Sequence, residues 1–266
     1  MPNVERKKLI ETSLPESSLP VINPEVYETN LGLTYLREPG VAVITVPHTD
    51  LRGLEGFFRG FPSELNFPNY LNDPTNLPDA ETLCKFAGQL CYLSFGVSRT
   101  DNKNAKQYFK NILESGHGSV LEHANITARV VCDRGVGNEL VRHRLASYSQ
   151  ESTRYVNYGK GEIAFIQPPL QSMSVYHWRA ACQVAEGAYL SLLANGETPE
   201  IARSVLPLCL KTEIVITANL REWRHIFRVR VCNKAAHPQI RYVLGLGLAQ
   251  MKLVIPIVFD DLETIP

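Results

Sequence analysis

Apolar residues recur along this chain in two rhythms, and the places where one rhythm gives way to the other predict its elements. The run Val41-Ala42-Val43-Ile44-Thr45-Val46 is continuous and short, which suits a buried strand. From Asp79, an expected N-cap, Leu83, Ala87, Leu90 and Cys91 return at helical spacing up to Ser94. A second helix is predicted over Ala105 to Glu114, stopping at Gly116. Asn125 to Val131 carries the β-branched residues of a strand, and Gly137 to Arg144 returns to a helical pattern. Val175, Trp178, Cys182, Ala185, Tyr189 and Leu192 define a long amphipathic helix that closes near Gly196. Leu210 to Thr217 reads as a strand, and Asn219 to Arg228 and Pro238 to Leu253 as helices, with Pro238 at the first helical position. Strands and helices mixed without a regular alternation indicate an α+β chain.

Residues 1–37, punctuated by Pro15, Pro20 and Pro24, are expected to form an extension with little regular structure, and residues 38–266 a single domain. The stretch before Pro78 is rich in Gly, Pro and Asn and carries Phe57, Phe58, Phe61, Phe67 and Tyr70. Its aromatics predict a loop packed on the domain or on a neighbouring subunit.

Composition narrows the function classes. A chain of 266 residues buries a sizeable core. Its 27 basic and 27 acidic residues cancel, whereas a dedicated nucleic-acid binder usually carries a basic excess. No apolar run reaches bilayer length, and Met1 to Lys8 has no apolar signal core behind it, so a soluble cytoplasmic protein is expected. The six cysteines are scattered without a Cys-x-x-Cys pair, which predicts reduced thiols.

Against this neutral background one segment stands out. Arg142-His143-Arg144-Leu145-Ala146-Ser147-Tyr148-Ser149-Gln150-Glu151-Ser152-Thr153-Arg154-Tyr155 gathers anion-binding groups. On a helix, Arg142 and Arg144 would point about 200° apart and serve two ligands rather than one. After Ala146, Ser147 and Ser149 alternate as on an extended backbone with one polar side. Arginine offers a planar fork that matches phosphate oxygens, and hydroxyls complete such a shell. A second basic set, Arg221, Arg224 and Arg228, follows helical spacing opposite Leu220, Trp223 and Phe227, where ordinary solvation explains Arg224 and Arg228 equally well. Arg230 falls outside that helical set and is a candidate ligand contact.

These segments resemble the flavin-dependent thymidylate synthases. Arg-His-Arg, seven residues, Ser, then Arg is similar to that family's signature. Gly116 to His123, Ser94-Phe95, Ala202 to Pro207, Asn219 to His225 and Arg230 are similar to its other blocks, so that the likeness runs over residues 80–255. The resemblance implies an antiparallel or mixed sheet flanked by helices, and methylation of dUMP to dTMP. It implies FAD as cofactor, with methylenetetrahydrofolate donating the carbon and NADPH restoring the flavin. It further implies a homotetramer with shared active sites, and no nucleic-acid, membrane or metal partner. Arg230 is then the catalytic group that stabilises a uracil ionised at N3, without a cysteine nucleophile. FAD falls to His117, Ser119, Arg142, His143, Arg144, Leu145, Gln150, Asn219, Arg221 and His225. Substrate falls to Glu139, Arg142, Gln150, Glu151, Ser152, Thr153, Arg154, Arg203 and Arg230.

Three positions depart from the common pattern. Ser149-Gln150 replaces Asn-Glu, Glu139 stands where some members carry Gln, and His225 where some carry Asn. Each swap changes charge or donor count and bears on substrate choice, including UMP in place of dUMP. Other classes weigh less. His117, Glu122 and His123 lack standard metal-pair spacing, and Tyr148, Tyr155 and Tyr158 among the arginines would suit single-stranded nucleic acid only with a basic excess. A homologue that binds nucleotide without catalysis is the more serious rival.

Overall fold

The computed structural model describes residues 5–6, 22–54, 77–95, 105–161 and 163–265. In chain order its strands are β1 (Glu5–Arg6), β2 (Val26–Glu28), β3 (Thr34–Leu36), β4 (Gly40–Thr45), β5 (Asn125–Asp133), β6 (Ala146–Gln150), β7 (Ala164–Ile166) and β8 (Lys211–Asn219). Its helices are α1 (Asp79–Cys91), α2 (Ala105–Glu114), α3 (Arg134–Leu140), α4 (Ser172–Ala194), the single turn α5 (Pro199–Ala202), α6 (Leu220–Arg230) and α7 (Pro238–Val254). None of the described helices is long and apolar enough to cross a membrane.

The larger sheet has the order β4-β5-β8-β6, antiparallel throughout. Its spine is the β5/β8 pair, in register from Asn125 opposite Asn219 to Asp133 opposite Lys211. Alternate residues of the pair, Ile126, Ala128, Val130, Ile214, Ile216 and Ala218, are buried and share one core with Trp223 and Phe227 of α6 and Val243, Leu248 and Met251 of α7. Trp223 satisfies its indole N–H on the Ile126 carbonyl at 3.1 Å, which ties α6 to β5. The α+β expectation, with an antiparallel or mixed sheet flanked by helices, holds.

The smaller sheet, β1-β2-β3-β7, is mixed, because β3 and β7 run parallel. Here the structure departs from the expected N-terminal extension. Leu33 and Tyr35 are buried with Phe165, Cys182 and Tyr189, forming a second core under α4. Pro24 lies outside the strands, and the β2/β3 hairpin turns at Gly32, whose φ is +82°. The aromatic stretch from Phe57 to Tyr70 lies outside the described residues.

Helix ends follow their caps. Gly116 and Gly196 take φ of +70° and +92° just past α2 and α4, as their positions predict. Asp79 is the first residue of α1 rather than its cap, and its carboxylate accepts from the Thr49 amide at 3.1 Å.

Candidate active site

Two corrections to local structure decide the site. The helical pattern over Gly137 to Arg144 begins earlier and stops sooner: α3 starts at Arg134, capped by the Asp133 carboxylate on the Val136 amide at 2.6 Å, and ends at Leu140. Beyond it the Tyr148 hydroxyl lies 2.9 Å from the Leu140 carbonyl and 2.8 Å from that of His143. The Leu140 carbonyl also accepts from the His143 amide at 3.1 Å, and Arg142 and Arg144 sit in the turn that leads into β6. Conversely, α6 continues past Arg228 and Arg230 is its last residue.

Those two endings meet. Arg230 Nη1 donates to Glu139 Oε2 at 2.5 Å, Nη2 to the Glu139 carbonyl at 3.3 Å and Nε to His143 Nε2 at 3.2 Å. Because Nε2 accepts, the neutral His143 ring carries its proton on Nδ1, which faces Glu222 Oε1 at 3.8 Å. Burial, the Arg230 charge and His225 hold its pKa at about 4, so the ring is neutral near pH 7. His225 meets the His143 ring edge-on at 5.6 Å. Donor atoms of His143, Glu222 and His225 lie within 4.8 Å of one another, a set of potential metal ligands that includes His143 of the sequence candidates but not His117, Glu122 or His123. Its members already serve Arg230 and one another.

Beside this knot lies a basic cavity of about 270 Å³ between α6 and the 3₁₀ turn Gly118–Glu122, lined by Gly116, Gly118, Arg221, Arg224, His225 and Arg228 among others. Exposed His117 precedes that turn and exposed Ser119 lies within it, and Arg221 pairs with Glu122 at 2.5 Å. A Cβ on Gly118 would stand 2.8 Å from Arg221 Nε, so a side chain there would shift the guanidinium. Cationic side chains around a glycine-lined hollow suit the diphosphate of a dinucleotide. Arg224 is a further correction: its side chain is 4% exposed, clamping Asp261 at 2.6 and 2.7 Å and the Val258 carbonyl. Arg228 at the cavity wall went unassigned from sequence, since its spacing alone cannot separate a ligand from a solvated face.

The remaining predicted residues form a second group. Arg203 donates to buried Thr153 Oγ1 at 3.1 Å, and Arg154 meets Glu200 at 3.4 Å. Ser152 Oγ accepts from the Arg154 amide at 3.3 Å. Glu151 accepts from Tyr158 at 2.6 Å and faces Lys211 at 3.5 Å, while Gln150 donates to Thr212 Oγ1 at 3.3 Å. Asn219 caps α6 through the Glu222 amide at 2.9 Å. Arg142, Arg144 and Leu145 are exposed. Within one chain, therefore, Arg230, Glu139, His143 and His225 come together, and Thr153, Arg154 and Arg203 form a separate basic rim. The larger cavity, about 880 Å³ between Arg37-Glu38 and the start of α7, is lined by none of the predicted residues.

A protein-family model described as thymidylate synthase complementing protein matches residues 73–257. A flavin-dependent thymidylate synthase of Geobacter sulfurreducens is 35% identical over 192 residues, covering 69% of this chain and 82% of the relative. The chain belongs to the flavin-dependent thymidylate synthase family. It is an enzyme of that family, and the signature segment, Gly116 to His123, Ala202 to Pro207, Asn219 to His225 and Arg230 lie within the matched span. Another flavin-dependent thymidylate synthase, from Mycobacterium sp. (strain JLS), is 32% identical over 226 residues, 77% of this chain and 88% of the relative. In fold, the flavin-dependent thymidylate synthase chain is similar to the solved UMP/dUMP methylase PolB of Streptomyces cacaoi, bound with 5-Br dUMP. The TM-score is 0.63 and the identity 21%, with 85% of this chain and 95% of the other covered.

The thiols differ in their surroundings: the hydrogen bond from Cys182 lowers the pKa of Cys209, whereas those of Cys84, Cys132 and Cys182 are raised. Burial pushes Cys84 up to about 12 and raises Cys132 further. Cys182 and Cys209 share a contact at 3.6 Å, in which Cys182 is held protonated by its hydrogen bond to Cys209 and by burial.

Proposed function

We propose that the enzyme methylates dUMP to dTMP, taking the carbon from methylenetetrahydrofolate, with FAD reduced by NADPH. The carrying observation is Arg230: a guanidinium 18% exposed, fixed in plane by Glu139 and neutral His143, whose ring neighbour His225 lines the basic cavity. A group so held stabilises negative charge in a uracil ring without reorganising as that charge develops, and it cannot itself lose a proton. C5 of the uracil then becomes the nucleophile, with no thiolate addition required.

The cavity residues fit a flavin dinucleotide. Arg221, His225, Ser119 and His117 would hold it beside Asn219, with His143, Arg144, Leu145, Arg142 and Gln150 on the opposite rim. Reduced flavin supplies the hydride that completes the methyl group. Thr153, Ser152, Arg154 and Arg203, together with Arg142, Gln150 and Glu151, offer hydroxyls and guanidinium forks suited to a nucleotide phosphate and ribose. We take the working site to be shared between subunits of a homotetramer, which would bring the Arg203 rim of one chain to the Arg230 knot of another. A related reading, with UMP as substrate, is tested in the same assay.

The test is Arg230→Ala, assayed for dTMP and for flavin uptake. The variant should retain its flavin absorbance and lose dTMP formation by at least about a hundredfold. Turnover near wild type would remove Arg230 from the chemistry.

A further inference from the structure

We propose that Glu139 accepts the N3–H of the pyrimidine: the site binds the neutral base through a paired donor and acceptor, and Glu139 takes the N3 proton as C5 forms its new bond. The inference rests on the methylation reading above and assigns a catalytic role to a second residue of the knot.

The geometry starts from what Arg230 has left to offer. Its Nε serves His143, one N–H of Nη1 serves Glu139 Oε2 and one of Nη2 serves the Glu139 carbonyl. That leaves one N–H on each terminal nitrogen for a ligand. Glu139 engages the guanidinium through Oε2, and a carboxylate has lone pairs enough on its two oxygens for a further donor. The Glu139 side chain is 34% exposed, so this edge is open to a ligand. Arginine beside carboxylate therefore presents donor next to acceptor. A neutral uracil presents the complement, a carbonyl next to N3–H.

An ionised uracil fits less well. It offers only acceptors along that edge, and it sets a second negative charge next to Glu139. The groups facing Glu139 are Arg230 on α6, neutral His143 on the turn and the Asp133 carboxyl at the start of α3, with Glu222 and His225 behind His143 and exposed Arg142 joined through its amide to the Glu139 carbonyl at 3.4 Å. Moving the N3 proton to Glu139 leaves the net charge beside Arg230 unchanged and merely transfers the negative charge from carboxylate to ring. In that step the N3–H bond breaks and an O–H bond forms on Glu139. The freed electron pair reaches C5, which bonds the electrophilic carbon of the one-carbon donor, whose nitrogen takes up the displaced pair.

The experiment measures binding of 5-bromo-dUMP to the flavin-loaded protein from about pH 7.5 to about pH 9.5, where the 5′-phosphate is already ionised and base N3 loses its proton. Wild type should weaken by about tenfold across this range. Glu139→Gln has the same size and no charge, and should hold or gain affinity. At the lower pH, N3-methyl-dUMP should bind wild type about tenfold more weakly than dUMP, for want of the donor. Wild-type affinity that stays level or rises with pH, or a Gln variant that tracks wild type, overturns the role of Glu139. A wild-type protein that binds no dUMP at any pH overturns the methylation reading itself and this inference with it.

Discussion

His143 illustrates how a side chain acquires its protonation state from its neighbours. Its ring is 7% exposed, next to a guanidinium, and titrates near 4 instead of the ordinary 6.5. Between those values the unfolded chain binds a proton that the folded chain refuses, so stability falls as pH drops from 6.5 towards 4, by at most about 3 kcal/mol from this residue. Glu81 acts in the opposite sense. Burial raises its carboxyl to about 6, so it adds stability as pH falls from there towards 4.5. Urea unfolding of wild type and His143→Gln at several pH values separates the two: the variant should lose the acid-side decline, and equal slopes would contradict a neutral, buried ring. The same residue scale contains the Arg230 and Glu139 substitutions already described, whose expected effects concern chemistry and base binding rather than folding.

At the scale of elements, α6 carries both stability and function on adjacent faces. Leu220, Trp223 and Phe227 dock on the β5/β8 core, while Arg224 is drawn inward to hold the C-terminal segment through Asp261 and the Val258 carbonyl. Arg224→Ala would leave that carbonyl unsatisfied and a void at the helix base. The expected cost is about 3 kcal/mol, seen as a lowered urea midpoint, and a midpoint unchanged from wild type would show the clamp to be dispensable. Gly118 tests the other face. Adding a methyl drives Arg221 from its place, so Gly118→Ala should weaken FAD uptake by about tenfold while global stability changes little. Undiminished flavin affinity would remove Arg221 from the cradle.

At the scale of the whole molecule, the arrangement of the two basic groups is informative. The Arg230 knot sits where α3 and α6 end, whereas Arg203 and Thr153 belong to the rim beside α4 and α5. If neighbouring subunits pair one group with the other, mixing inactive Arg230→Ala with inactive Arg203→Ala under subunit exchange should restore dTMP formation, because some sites then receive intact halves from both chains. A mixture that stays inactive despite demonstrated exchange would place each complete site within one chain.

Local pattern sufficed for much of this protein. Apolar periodicity alone located α2, α4 and the β5/β8 spine to within a few residues, because each buries one regular face against the core. The ordered polar blocks marked the family and drew attention to Arg230 and His143. Only the folded chain decided how those residues meet. Arg230 and Glu139 are 91 positions apart, and their contact depends on where α3 stops and α6 ends. At the first boundary a tyrosine hydroxyl arrives from β6, a contact that no periodicity encodes. Arg224 and Arg228 share one spacing and both reach Asp261, yet one is buried and the other exposed, because Arg224 is gripped by both carboxylate oxygens and the Val258 carbonyl while Arg228 meets a single oxygen at 3.6 Å. Likewise residues 22–36 gain their strands by pairing among themselves and with β7, more than 100 residues away. Short-range patterns report which face of an element is apolar; long-range pairing decides which polar groups that packing brings together.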